Sequence, residues 1–193
     1  MTDRFNSNPR RQQELRCRPY ADEIYRRIFG DIVITRAGEE NKELEQVFLL
    51  DRVLAIDIQI RQSSGLILTG QEKFLSYEYA KYRTVTIEHM QNPKTNEQGD
   101  WFKLASQFYF CGYEEPNKKT FNPWVILDWS KVVIETEAGR IKWREGQNKD
   151  GHARATFRFT SMDSIPAICV IAKSEESNAR RSVSSQTMAD ARL

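Results

Sequence analysis

The stretch LAIDIQIRQSSGLILTGQEKF, residues 54–74, decides how this chain is read. It sets one aspartate, Asp57, in an apolar run, breaks at Arg61-Gln62-Ser63-Ser64-Gly65, and resumes apolar up to the triplet Gln71-Glu72-Lys73. β-Branched residues on both sides of a short polar break that contains glycine point to two strands joined by a turn. If the chain reverses at Ser63 or Ser64, the position facing Asp57 falls between 69 and 71. Asp57 and Gln71 are then direct or diagonal cross-strand neighbours, about 5–8 Å apart. Side chains alternate along a strand, so Gln71 and Lys73 share a face and Glu72 points away unless Gly70 marks a bulge. An acid, an amide oxygen and an ammonium converge on one side of a hairpin.

Those three groups suit one chemistry. A hard divalent cation such as Mg²⁺ takes oxygen ligands and keeps several of its waters, which one carboxylate and one carbonyl oxygen on a rigid sheet can satisfy. A lysine alongside can position an attacking water or offset the charge that develops on a phosphodiester, while the cation lowers the pKa of that water. Glu72, if Gly70 bulges the strand, and Glu88 in TVTIEHM are further acids within reach of such a metal. Arg52, Lys81 and Arg83 are candidate phosphate contacts. Asp51 is a second acid near the site or a cap where a helix hands over to the strand.

The order of these residues, AIDIQI…GLILTGQEK, resembles the PD-(D/E)XK nuclease superfamily, whose fold is restriction-endonuclease-like. The resemblance spans residues 20–90 and implies an α/β domain in which a helix precedes a central mixed β-sheet flanked by α-helices. It implies that Asp57 and Gln71 bind Mg²⁺, with Mn²⁺ as a substitute, and that Lys73 assists the nucleophile. Glu23, in the helix ahead of the sheet, resembles the helical glutamate that many members place near the metal. At Gln71 the chain departs from the commoner acid, which leaves the site one negative charge short. The activity implied is hydrolysis of DNA phosphodiester bonds. The alternative is the same fold with a degenerate site, gripping nucleic acid or a protein partner without cutting. A third reading is an assembly protein that uses its aromatic sheet as an interface, and a homodimer is compatible with each.

The remaining sequence frames this site. The helix is expected in YADEIYRRIFG, where Tyr20, Ile24 and Ile28 recur at helical spacing and Gly30 terminates. EENKELEQVFLLD favours helix by its charge pattern, and TVTIEHM alternates as a third strand. WFKLASQFYFCGY fits strand or helix, and PWVILDWSKVVIETE opens as an apolar strand. Residues 1–18 are expected to form a flexible Arg-rich arm, 19–173 one packed domain, and 174–193 a disordered polar tail. The 193 residues carry 29 Lys plus Arg against 27 Asp plus Glu, so the net charge of +2 does not by itself call for a polyanionic partner. Cys17, Cys111 and Cys169 form no CxxC pair, which argues against a thiolate metal site and for a reducing, cytoplasmic setting. No run of about 18 apolar residues suggests a membrane span. His89 and His152 are too isolated for a zinc site, and the aromatic cluster around Trp101, Phe108–Phe110 and Trp124 is read as core. P-loop, GxGxxG, GxSxG and HExxH motifs do not occur.

Overall fold

Ile58, Ile60 and Leu68 give the hairpin an apolar face, and a helix covers it. The computed structural model describes residues 8–37, 50, 53–115, 117, 119–147 and 155–175. Strand β2 (Ile58–Gln62) and strand β3 (Ile67–Leu75) pair antiparallel, Ile58 opposite Gly70 and Ile60 opposite Leu68. The Gln62 amide donates to the Leu66 carbonyl (2.9 Å), closing a short turn at Ser63–Gly65. β1 (Ile32–Arg36) adds to the free side of β2, with Thr35 opposite Gln59.

On the other side of β3 runs β6 (Phe108–Glu114), parallel to it, and then β7 (Phe121–Asp128), antiparallel to β6. β10 (Val170–Lys173) closes the order β1-β2-β3-β6-β7-β10. Every residue of β6 is buried, and β7 nearly so, because both strands have neighbours on each side and layers on both faces. A near-continuous apolar run is the pattern such strands require.

Helix α1 (Pro9–Phe29) packs on one face of this six-stranded sheet. Its Cys17, Ala21, Ile24 and Tyr25 meet Ile58, Ile60, Phe108, Phe110, Phe121, Trp124 and Ile126. The helix opens at Pro9, well ahead of Tyr20, where the apolar periodicity begins, and the Asn8 side chain accepts from the Arg10 amide (3.0 Å). Residues 9–18, a flexible arm by their sequence, are therefore helix, and Pro19 lies inside it. Besides buried Cys17, what anchors this first half is ionic: the Arg16 guanidinium donates to both oxygens of buried Glu114 (2.8 and 3.0 Å), and Gln13 joins them. A search for apolar periodicity does not register such an anchor.

The opposite face is covered not by a second long helix but mainly by a second sheet. TVTIEHM does form a strand, β4 (Thr84–Asn92), but it belongs to a four-stranded antiparallel sheet rather than to the central one. Its companions are β5 (Glu97–Gln98), β8 (Arg144–Gln147) and β9 (Thr156–Ser161), in the order β5-β4-β9-β8. Helix α2 (Trp129–Glu137) completes this layer. Val85 and Ile87 of β4 pack with Tyr109, Cys111, Tyr113, Val125 and Leu127 of the central sheet.

Side chains of β6 bind the backbone of β4. Tyr109 donates to the Thr86 carbonyl (2.5 Å) and Tyr113 to the Thr84 carbonyl (2.8 Å), while the Thr84 amide donates to Tyr113 (3.2 Å). Unpaired backbone groups on a strand are thus satisfied from across the core. The chain is a mixed α/β protein with a mixed central sheet. Among the described residues no helix is long and apolar enough to cross a membrane. Residues 1–7, the EENKELEQVFLLD segment apart from Leu50, and the tail from residue 176 lie outside the described residues.

Candidate functional site

Register and burial together settle which way the hairpin side chains point. Ile58 and Ile60 belong to the core under α1, so by alternation Asp57, Gln59 and Arg61 project from the opposite face. On β3, Phe74 packs with Phe110 and Phe121 on the helix side. Gln71 and Lys73 therefore project away from the helix, Gln71 beside Tyr109 and Lys73 beside Cys111 in the parallel ladder. Asp57, Gln71 and Lys73 share one face.

Asp57 sits just before β2, level with Gln71. Its amide donates to the Gly70 carbonyl (2.9 Å), and its Oδ2 accepts from the Glu72 amide (2.9 Å). The carboxylate is thereby fixed against the backbone of the strand that carries Gln71 and Lys73. Gln71 is 8 % exposed, and its Oε1 is buried with no hydrogen-bond partner. A buried acceptor left without a donor costs about 1–3 kcal/mol, so this carbonyl oxygen is an expense the fold carries at this position.

Lys73 is partly buried, and burial pulls its ammonium below the ordinary lysine value; Arg10 adds to the effect, while Asp100 and Glu88 oppose it. The Tyr109 phenol is pushed well above its usual range, first by burial and then by Cys111, Asp100, Asp57 and Glu88. The carboxylates of Asp57, Glu88 and Asp100 are thus close enough to act electrostatically on one phenol. Glu88 reaches this region from β4, in the second sheet rather than the first. Asp100 follows Gly99, where a Cβ would lie 2.7 Å from the Glu88 carbonyl oxygen. Only a residue with no side chain lets the two segments approach so closely. Asp100 was not among the residues singled out from the sequence; the glycine just before it, in a loop, is the one local signal.

Glu72 takes no part in this face. It turns toward the helix, where Arg36 donates to both its oxygens (3.0 and 3.1 Å) and the Tyr25 hydroxyl donates to Oε1 (3.1 Å). Asp22 holds the other side of Arg36 at 2.5 Å. Burial pushes the Glu72 carboxyl above its ordinary range, against the pull of Arg36 and Tyr25. Burial likewise works against the Arg36 charge, but Glu72 and Asp22 outweigh it and hold the guanidinium above its usual value. The expectation of Glu72 as a metal ligand through a bulge is corrected: the β2–β3 pairing ends at Gly70 and the β3–β6 pairing runs from it, through Glu72, without a register shift. Gly70 is there for another reason, since a Cβ on it would lie 2.2 Å from the ring of Phe108.

Glu23 is also displaced from its expected place. It is exposed on α1, and α1 covers the other face of the sheet from Lys73. Arg83 is engaged with Asp163 through two hydrogen bonds (3.2 and 3.0 Å), and Lys81 is exposed over the ring of Tyr82. Neither lies in the hairpin row that carries Asp57 and Gln71. Arg52, Asp51 and His152 lie outside the described residues. His89 stacks on Phe102 at 5.0 Å and has Glu145 at 3.6 Å. Burial and Arg158 hold it below the ordinary histidine value. The aromatic cluster is mostly core, with Phe108, Tyr109, Phe110, Tyr113 and Phe121 at most 2 % exposed.

No family model matches the chain, and no match to it emerges among curated proteins or solved structures. The chemistry of the site therefore rests on its own residues. Among the described residues no group of three or more His, Cys, Asp or Glu is placed to hold a metal ion. What the hairpin face does offer is oxygen only: the Asp57 carboxylate and the orphaned Gln71 carbonyl, with Glu88 and Asp100 beyond. That donor set fits a small hard cation that keeps most of its waters, and it suits zinc less well, since zinc favours nitrogen and sulfur ligands.

Proposed function

We propose that the chain is a Mg²⁺-dependent nuclease with a restriction-endonuclease-like fold, acting on DNA phosphodiester bonds at the Asp57–Gln71–Lys73 face. The observation that carries this reading is the Gln71 Oε1, a buried acceptor with no hydrogen-bond partner, on the same face as Asp57 and Lys73. A leading helix, an antiparallel hairpin and a parallel strand beside it are compatible with the family that the AIDIQI…GLILTGQEK pattern resembles.

Asp57 and Gln71 would hold the cation, with Asp100 and Glu88 as further acids in the same neighbourhood. When bound, the ion supplies Lewis-acid polarisation and a lowered pKa for a coordinated water. The protein's own share is positioning. Asp57 is fixed by the Glu72 amide, so its carboxylate needs little reorganisation to present an oxygen. Lys73, its charge disfavoured by burial, gives up a proton more readily than an exposed lysine and can accept one from an attacking water. In its charged form it would stabilise the negative charge gathering on phosphoryl oxygens.

A second reading is favoured by the neutral Gln71 and by the absence, among the described residues, of three His, Cys, Asp or Glu placed to hold a metal ion. It makes the chain a binding module with a degenerate site. The two part in one assay. Plasmid and oligonucleotide DNA are incubated with Mg²⁺ or Mn²⁺, with chelator, and with the Asp57→Ala and Lys73→Ala variants. Nuclease action requires cutting that needs the metal and is lost in both variants. Equal cutting by wild type and variants would overturn the proposal, while salt-dependent retention without cutting would favour the module.

A further inference from the structure

The second sheet and α2 pack over the β6–β7 part of the central sheet, whereas the face of β1, β2 and the start of β3 is open. Val33, Thr35, Arg61 and Ile67 line a hollow of about 270 Å³ there together with Gln59. The open part begins where the Asp57–Gln71 level ends. One step out along the strands, Thr35 stands opposite Gln59 and Gln59 opposite Thr69, and the Thr69 amide donates to the Gln107 side chain (2.9 Å). A further step out, Val33 stands opposite Arg61 and Arg61 opposite Ile67, and all three are exposed. Successive levels are two residues apart along a strand, about 6.7 Å.

The charge on this face is uneven in a useful way. Beyond Asp57, the cross-strand levels from Thr35 to Ile67 carry Arg61 and no acid; Asp31 enters only at the rim, beside Ile32, Val33 and Arg61 in a second hollow of about 310 Å³. Among the described residues no carboxylate lies within 4 Å of the Arg61 guanidinium. An arginine so placed, next to a level of hydroxyl and amide side chains on a rigid sheet, suits a ligand with repeating anionic oxygens.

We infer that this open face seats the sugar–phosphate backbone of a nucleic-acid strand. Arg61 takes a phosphate, and Thr35, Gln59 and Thr69 supply neutral hydrogen bonds between that phosphate and the Asp57–Gln71 level. The inference rests on the reading of Asp57, Gln71 and Lys73 as a phosphodiester site. A second copy of the chain pairing on the β1 edge is the rival occupant.

The test is fluorescence anisotropy of the full chain with labelled single-stranded and duplex DNA in chelator, over a series of salt concentrations, with light scattering on the same samples. Arg61→Gln is expected to weaken binding about tenfold and to lower the slope of log K against log salt by about 1, the signature of one lost phosphate contact. Thr35→Val with Gln59→Ala is expected to weaken binding severalfold with the slope unchanged. Arg144→Gln, exposed on β8, serves as the control and should bind as wild type. Metal-dependent cutting is followed in parallel. If wild type cuts but Arg61→Gln binds with unchanged affinity and slope, the seat is overturned and the nuclease reading survives. If Arg61→Gln loses binding while wild type never cuts, the seat stands and the nuclease reading falls. Absence of binding to either DNA, or an Arg61 effect confined to self-association, overturns the seat.

Discussion

Replacing Gln71 by methionine tests the site without assuming a substrate. The Gln71 carbonyl oxygen is buried and unpartnered, and a buried polar group in that condition costs about 1–3 kcal/mol. Methionine has similar length and no polar oxygen, and its flexible chain adapts to the same space. In chelator, Gln71→Met should therefore be more stable than wild type by about 1–3 kcal/mol. For a domain of this size each kcal/mol moves the melting temperature by about 2–4 °C, so the rise should be roughly 2–12 °C. Addition of Mg²⁺ or Mn²⁺ closes or reverses this gap. A ligand at a hundred times its Kd stabilises the folded state by about 2.7 kcal/mol, and wild type should gain on that scale while Gln71→Met gains nothing. Thermal and urea unfolding of both proteins, each with metal and with chelator, give the four numbers needed. If Gln71→Met is less stable than wild type in chelator and shows the same metal-dependent rise, the oxygen is neither strained nor a ligand, and the argument built on it fails.

The other expectations concern the supports of the site. Glu72→Ala leaves Arg36 with Asp22 as its remaining carboxylate, in a place where the Glu72 and Arg36 side chains are only 5 % and 10 % exposed. Urea unfolding should show a loss of about 3–5 kcal/mol, most of it recovered in Glu72→Met/Arg36→Met. Lys73→Met should abolish cutting yet raise stability by about 1 kcal/mol at neutral pH, because it removes an amine whose charge is disfavoured by burial. The sign follows from proton counting: between the lowered folded value and the ordinary 10.5 the unfolded chain holds more protons, so wild-type stability rises with pH across that window, and the variant should lack that rise. Gly70→Ala places a methyl 2.2 Å from the Phe108 ring and should cost about 1–3 kcal/mol in unfolding experiments, with part restored by Phe108→Leu. Burial pushes the Cys17 and Cys111 thiols up to about 12, so thiol reagents should label them in the native protein only as fast as it opens.

The hairpin was legible because its information is local. Two β-branched runs, a Ser-Ser-Gly turn and strict alternation fix the register, and Ile58 does stand opposite Gly70, which sets Asp57 level with Gln71. Alternation also foretold that Glu72 would leave the face that Gln71 and Lys73 share. What it could not foretell is where Glu72 goes, since its partner Arg36 is 36 residues away in sequence. TVTIEHM reads as a strand from its own residues, but its partner β9 begins at Thr156, and periodicity carries no word about partners. The first half of α1 was missed because, Cys17 apart, its anchoring is done by arginine and glutamine reaching Glu114 rather than by an apolar stripe. Asp100 enters the neighbourhood of Glu88 only through a backbone approach that three-dimensional packing creates.

The upper sheet is stitched from two detours of the chain, one between β3 and β6 and one after α2, whose strands pair with each other through β4 and β9. The acid at 88 reaches the lysine's surroundings because a strand much further along the sequence, opening at Thr156, holds its own strand in place. On the proposed reading of the hairpin face, loosening β9 should thus detune that face before it unfolds the scaffold, making the remote seam the natural place for a partner or a mutation to act on it.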